Sequence, residues 1–109
     1  MDEVALYRYE DESIRIIIEA RWERDVLVVE GYDIGKRVEE YWGDSDYEYS
    51  VRVMPPEVGK LFLALGLPAD DRAALLQQLA KRFSTNTAYS DFRDFLDQQG
   101  IAHEGFSWA

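Results

Sequence analysis

The sequence predicts an α+β domain: an N-terminal antiparallel sheet of about four strands, about three helices packed on one of its faces, and a tail free to return to the sheet. Three observations carry this reading. Apolar and polar residues alternate with period two in residues 13–22 and again in residues 47–53. After Pro55–Pro56 the apolar spacing lengthens to the helical period. Turn and capping residues fall at the joints between these runs. No internal repeat, linker or low-complexity stretch interrupts the chain, so residues 1–109 read as one domain. That length supports a core without disulfides or metals.

Val4–Tyr9 is a short strand, closed by the acidic turn Glu10–Asp11–Glu12. In Ser13–Trp22, Ile14, Ile16, Ile18, Ala20 and Trp22 share one face, while Arg15, Glu19 and Arg21 share the other and Ile17 breaks the pattern. Such alternation marks a half-buried strand. Glu23–Arg24–Asp25 then turns the chain into Val26–Tyr32, completing a hairpin. Between residues 31 and 49 come five aromatics, six carboxylates and three glycines, far more than a strand connection needs. Within it Lys36–Trp42 suits a helical turn or two, bounded by Gly35 and Gly43. Alternation resumes with Tyr47, Tyr49, Val51 and Val53, and the two prolines stop that strand because proline cannot donate to a ladder.

The first helix, Glu57–Leu65, buries Val58, Leu61, Phe62 and Leu65, with Pro56 in its first turn and Gly66 at its C-cap. A second opens at Ala69–Asp70–Asp71, where acids suit the positive end of the helix dipole, and buries Leu75, Leu76, Leu79, Ala80 and Phe83. A third, around Tyr89–Gln99, buries Tyr89, Phe92, Phe95 and Leu96. Gly100 ends it, and Ile101 stands where a Schellman motif places its apolar contact. In the tail, Phe106 and Trp108 lie two apart, the spacing of one face of an extended segment.

Composition narrows the function. The net charge is −10, and residues 1–54 carry 15 acids against 7 bases. That field repels phosphate backbones and anionic membranes and favours encounter with a basic protein. The apolar runs are too short to cross a bilayer, the N-terminus is acidic where a signal peptide is basic, and there is no cysteine. A cytoplasmic protein is expected, with no thiol chemistry, disulfide or Cys-bound metal.

No motif specifies catalysis. His103, the only histidine, has no Ser or Cys partner nearby in sequence. Asp44, Asp46 and Glu48 are spaced like the start of a calcium loop, yet Tyr49 occupies the position that requires glycine. Two-residue spacing on a strand also points such carboxylates the same way, which suits neither an opposed acid–base pair nor a full metal shell. Gly31 to Lys36 lacks the spacing and the hydroxyl residue of a phosphate loop, and no serine sits in a nucleophile elbow. No catalytic residue, metal or cofactor is therefore assigned. The alternative is a small metal-dependent or hydrolytic module built on the carboxylates near Asp44, with His103 as a further member.

The aromatics divide. Trp22, Tyr32 and Tyr47 or Tyr49 suit sheet packing, whereas Tyr41 and Trp42 lie among acids on the irregular insert. Tyrosine and tryptophan bring large contact area with few rotors, which favours them as binding anchors. The expected partner surface is Asp33, Glu39, Glu40, Tyr41, Trp42, Asp44 and Asp46, with the acids steering a basic protein partner and the two rings anchoring it.

The layout supports one resemblance. The run Tyr41–Trp42–Gly43–Asp44–Ser45–Asp46–Tyr47–Glu48–Tyr49 enters a strand and is followed by a Leu-rich helical segment. Then Ala88–Tyr89–Ser90–Asp91–Phe92–Arg93–Asp94–Phe95–Leu96 closes on Gly100–Ile101 and Phe106–Ser107–Trp108. The whole resembles small acidic bacterial proteins of the immunity type, which neutralise toxins of polymorphic and contact-dependent systems. The resemblance lies in layout and carries no diagnostic motif. It implies action by binding, with acidic and aromatic residues masking a toxin's active site or basic cleft.

Overall fold

Antiparallel pairing brings every strand beside its neighbour in sequence. The computed structural model describes residues 2–35 and 46–108. Strands β1 (Glu3–Glu10), β2 (Ile14–Glu23), β3 (Val26–Gly35) and β4 (Asp46–Val53) form a meander. Helices α1 (Pro55–Ala64), α2 (Arg72–Arg82) and α3 (Ala88–Gln98) follow, and β5 (Glu104–Trp108) returns antiparallel to β4. The predicted α+β layout is therefore present, and the tail supplies the fifth strand. The predicted helical turn at residues 36–42 lies outside the described residues.

Register decides which side chains meet the helices. Trp22 pairs with Leu27 and Ala20 with Val29, and across the next ladder Leu27 pairs with Val53 and Val29 with Val51. Residues directly opposite in an antiparallel pair share a face. All of these are buried, and they form the sheet's half of the core. The helices contribute Leu61 and Phe62 from α1, Leu75, Leu76 and Leu79 from α2, and Phe92 and Leu96 from α3. Each such side chain contributes about 1.5–3 kcal/mol by leaving water. In β1 the register slips between Ala5 and Tyr7. Leu6 follows Val4 onto the core face, and the bulge brings the next residue, Tyr7, opposite Ile18 and against the core as well. Strict alternation along Val4–Tyr9 does not reveal that extra residue.

The helix ends follow local chemistry. Pro55 and Pro56 occupy the first turn of α1, where an N–H has no intrahelical acceptor to lose. Asp71 caps α2 by accepting from the Ala74 N–H at 3.2 Å. Both α1 and α3 close in Schellman motifs. Leu67 N–H reaches the Phe62 carbonyl at 3.0 Å and Ile101 N–H reaches Leu96 at 2.9 Å, with Gly66 and Gly100 at φ +68° and +67° between. Ile101 is buried, as its predicted contact requires.

No described helix covers the opposite face of the sheet, and charge covers part of it instead. Val28 is fully buried there, flanked in register by Arg21 and Arg52. Arg21 binds Glu23 at 2.6 Å and Glu30 at 3.1 Å, and Arg52 binds Glu23 at 3.2 Å. Long arginine stems can cover an apolar cross-strand neighbour while their charged ends stay paired in solvent. The Arg21 hydrogen bond holds the Glu23 carboxyl below the usual carboxylate range.

Candidate functional site

The described ladder between β3 and β4 ends at the pair Ile34–Asp46, so the residues that flank the acidic, aromatic insert lie at one end of the sheet. Of the expected partner surface, Glu39, Glu40, Tyr41, Trp42 and Asp44 lie outside the described residues. Asp33 stands opposite Tyr47, and Asp46 begins β4 opposite Ile34. The two strands thus place the flanks of the insert side by side.

Asp33 faces the helix side of the sheet, as do Tyr47, Tyr49 and Val51, because each is in register with core positions. Tyr49 donates its hydroxyl to Asp33 Oδ1 at 2.8 Å. To do so its ring lies across Gly31, its partner in the ladder. A Cβ at residue 31 would fall on ring atoms Cε2 and Cζ, so only glycine allows the crossing. Burial pushes the Asp33 carboxyl above its ordinary value, partly offset by the Tyr49 hydrogen bond. Burial, with Asp33 alongside, pushes the Tyr49 hydroxyl far above that of free tyrosine. Asp33 is thus a half-buried acid fixed by its own partner.

Beside this pair the sheet and α3 enclose a cleft of about 430 Å³. Tyr47 and Tyr49 enter from β4, Tyr89, Ser90 and Arg93 from α3, and Ser107 from β5. The rings are mutually packed, with Tyr47 and Tyr49 centred 5.5 Å apart and Tyr49 meeting Tyr89 edge-on at 4.7 Å. Tyr89 donates its hydroxyl to the Ser50 carbonyl at 2.8 Å, which ties α3 to the sheet. Desolvation raises the Tyr89 hydroxyl pKa too. The Tyr49 hydroxyl is committed inward and the Tyr89 hydroxyl is shared between the Ser50 carbonyl and Arg93, so what these two residues mainly offer a ligand is ring surface.

The remaining candidates fall elsewhere. Trp22 is structural, as expected: it stacks on Phe62 at 6.3 Å, donates Nε1–H to the Arg72 carbonyl at 3.3 Å and lies under the Arg72 guanidinium. His103 lies between α3 and β5, with Nδ1 2.9 Å from the Ile101 carbonyl and Nε2 3.5 Å from Asp97. Glu48 pairs with Trp108 and Arg52 with Glu104, so His103 lies beyond the far end of that ladder. Four strand steps correspond to about 14 Å, well past hydrogen-bond reach. Among the described residues, no three His, Asp or Glu side chains converge as a metal site would need.

Arg93 and Tyr89 are the lining residues whose site role the sequence does not signal. They lie four apart on one helix, a spacing equally expected of a core-facing stripe. Only the return of β5 turns their side of α3 into a wall.

Among the described residues no helix is long and apolar enough to span a membrane. Comparison of the chain with protein-family models, with curated proteins and with solved structures finds no match in any of the three.

Proposed function

We propose that this chain is a non-enzymatic protein-binding domain whose acidic insert end docks on a basic protein surface, as an immunity protein masks a toxin or nuclease. The observation that carries the reading is positional. The sheet delivers both flanks of the acidic 33–46 stretch to one end, next to ring-lined surface from Tyr47 and Tyr49, in a chain of net charge −10. Acids around a ring-bearing centre suit a partner whose own site is basic, because the charges speed encounter and the rings supply contact area. In this scheme Asp33, Glu39, Glu40, Asp44 and Asp46 steer, Tyr41 and Trp42 anchor, and nucleic acid and membranes are not partners.

The test is a titration of the purified chain against the product of the adjacent reading frame in the source genome. A complex whose association slows with added salt is expected. Trp42→Ala should weaken it by about 2 kcal/mol or more, roughly thirtyfold. Replacing the steering acids by their amides should lower the association rate more than it raises the dissociation rate. The absence of a complex with a basic product of that frame at micromolar concentration and low salt would sink the proposal.

A further inference from the structure

We propose that the cleft between β4, β5 and α3 is a binding site for a small aromatic monocarboxylate, with Arg93 as its anion anchor. The site shares the Tyr47 and Tyr49 rings with the proposed docking end, but its anchor, Arg93, lies outside residues 33–46.

The first ground is charge. The chain has 22 acids and 12 bases, yet Arg93 is the one charged side chain among the described residues lining this cleft. Arg93 makes no ion pair among the described residues. Asp97, one helical turn on and the usual (i, i+4) partner, lies 3.5 Å from His103 instead. The guanidinium stands 5.9 Å from the Tyr89 ring centre and packs over Gly105, where a Cβ would lie 3.5 Å from it. It hydrogen-bonds the Tyr89 side chain, and its remaining N–H groups meet no acid among the described residues. A guanidinium presents two parallel donors that match one carboxylate. A single cation balances a monoanion and leaves half the charge of a phosphate dianion uncompensated.

The second ground is shape. Three tyrosine rings line the cleft, and the Tyr49 and Tyr89 hydroxyls already have partners in Asp33, Ser50 and Arg93, so the walls present π surface suited to a planar ring. The Ser90 and Ser107 hydroxyls add neutral polar groups at the rim. The volume of about 430 Å³ fits a small ligand and is too little for a large cofactor.

Calorimetric titration of the intact chain with 4-hydroxybenzoate, its neutral amide 4-hydroxybenzamide and inorganic phosphate tests the site. One saturable site is expected for the acid, with the amide and phosphate each at least about tenfold weaker. Arg93→Gln should lower the affinity for the acid about tenfold or more and leave that for the amide unchanged. Arg93 is exposed, so the fold should survive this change, and an unaltered urea midpoint checks it. The proposal is overturned if the acid shows no saturable binding up to about 10 mM, if the amide or phosphate matches it, or if Arg93→Gln binds the acid as wild type does. Binding of the acid without any complex at residues 33–46 would retain this site and reject the docking role, and the converse would do the reverse.

Discussion

Replacing Gly31 by alanine puts a methyl group where the Tyr49 ring now lies. In an ordinary strand the change should help, since glycine in a strand interior costs about 0.5–1 kcal/mol relative to alanine. Here the added methyl must displace an aromatic ring, an overpacking cost of about 1–3 kcal/mol. If the ring swings away, its hydrogen bond to Asp33 is lost, about 1 kcal/mol for a half-exposed acceptor, together with the Tyr89 edge contact, about 0.5–1.5 kcal/mol. After the propensity gain is subtracted, the net expectation is destabilisation by about 0.5–2 kcal/mol. With Tyr49→Ala already in place the sign should invert, and Gly31→Ala should stabilise by about 0.5–1 kcal/mol. Urea unfolding of the four proteins of this cycle, with a common slope, measures the coupling directly. A Tyr49→Phe background separates the causes: the ring remains and the hydroxyl does not, so Gly31→Ala should still destabilise. Additivity within about 0.5 kcal/mol would refute the idea that the ring's passage demands glycine at 31.

Other outcomes follow from the same physics. Arg21→Ala should cost about 1–2 kcal/mol in urea unfolding, because it breaks two partly exposed ion pairs and uncovers Val28; Arg21→Met, which keeps an aliphatic cover, should cost less than half of that. The raised Asp33 value means that its favourable contribution is complete below the ordinary aspartate range and is lost as pH rises through the folded value. Asp33→Asn should therefore be more stable than wild type at neutral pH, with the gain fading as pH falls through the folded value and absent below about pH 4; a gain that grows on acidification would contradict this. Tyr49 and Tyr89 should ionise above the ordinary tyrosine range in a spectrophotometric titration, since burial raises both, and the stability linked to them is complete below about pH 10 and lost above it. Gly100→Ala, which forces a side chain to φ +67°, should destabilise by about 1–2 kcal/mol, measured by thermal unfolding.

Much of the fold is legible in the residue pattern because its signals are local. The alternation of Ile14 through Trp22 fixes one face of β2, the double proline after Met54 separates sheet from helices, and Gly100–Ile101 spells a helix terminus. Each depends on neighbours within a few residues. The site is less legible. Its acidic insert shows in composition, and residues 39–44 fall outside the described part of the chain. Tyr49 as the ring that crosses Gly31 to reach Asp33 depends on cross-strand register, which alternation within one strand does not specify.

The sequence by itself determined the α+β class, the strand and helix succession, the acidic charge and the lack of a catalytic motif. Tertiary structure alone decided that the tail returns beside β4, that a bulge brings Tyr7 to the core face beside Leu6, and that Arg93 faces a ring-lined cleft. The physical reason is the range of the interactions. Helix periods, caps and strand alternation are written between near neighbours, whereas a cleft exists only where segments distant in sequence come to lie side by side, here residues 47–49, 89–93 and 105–107.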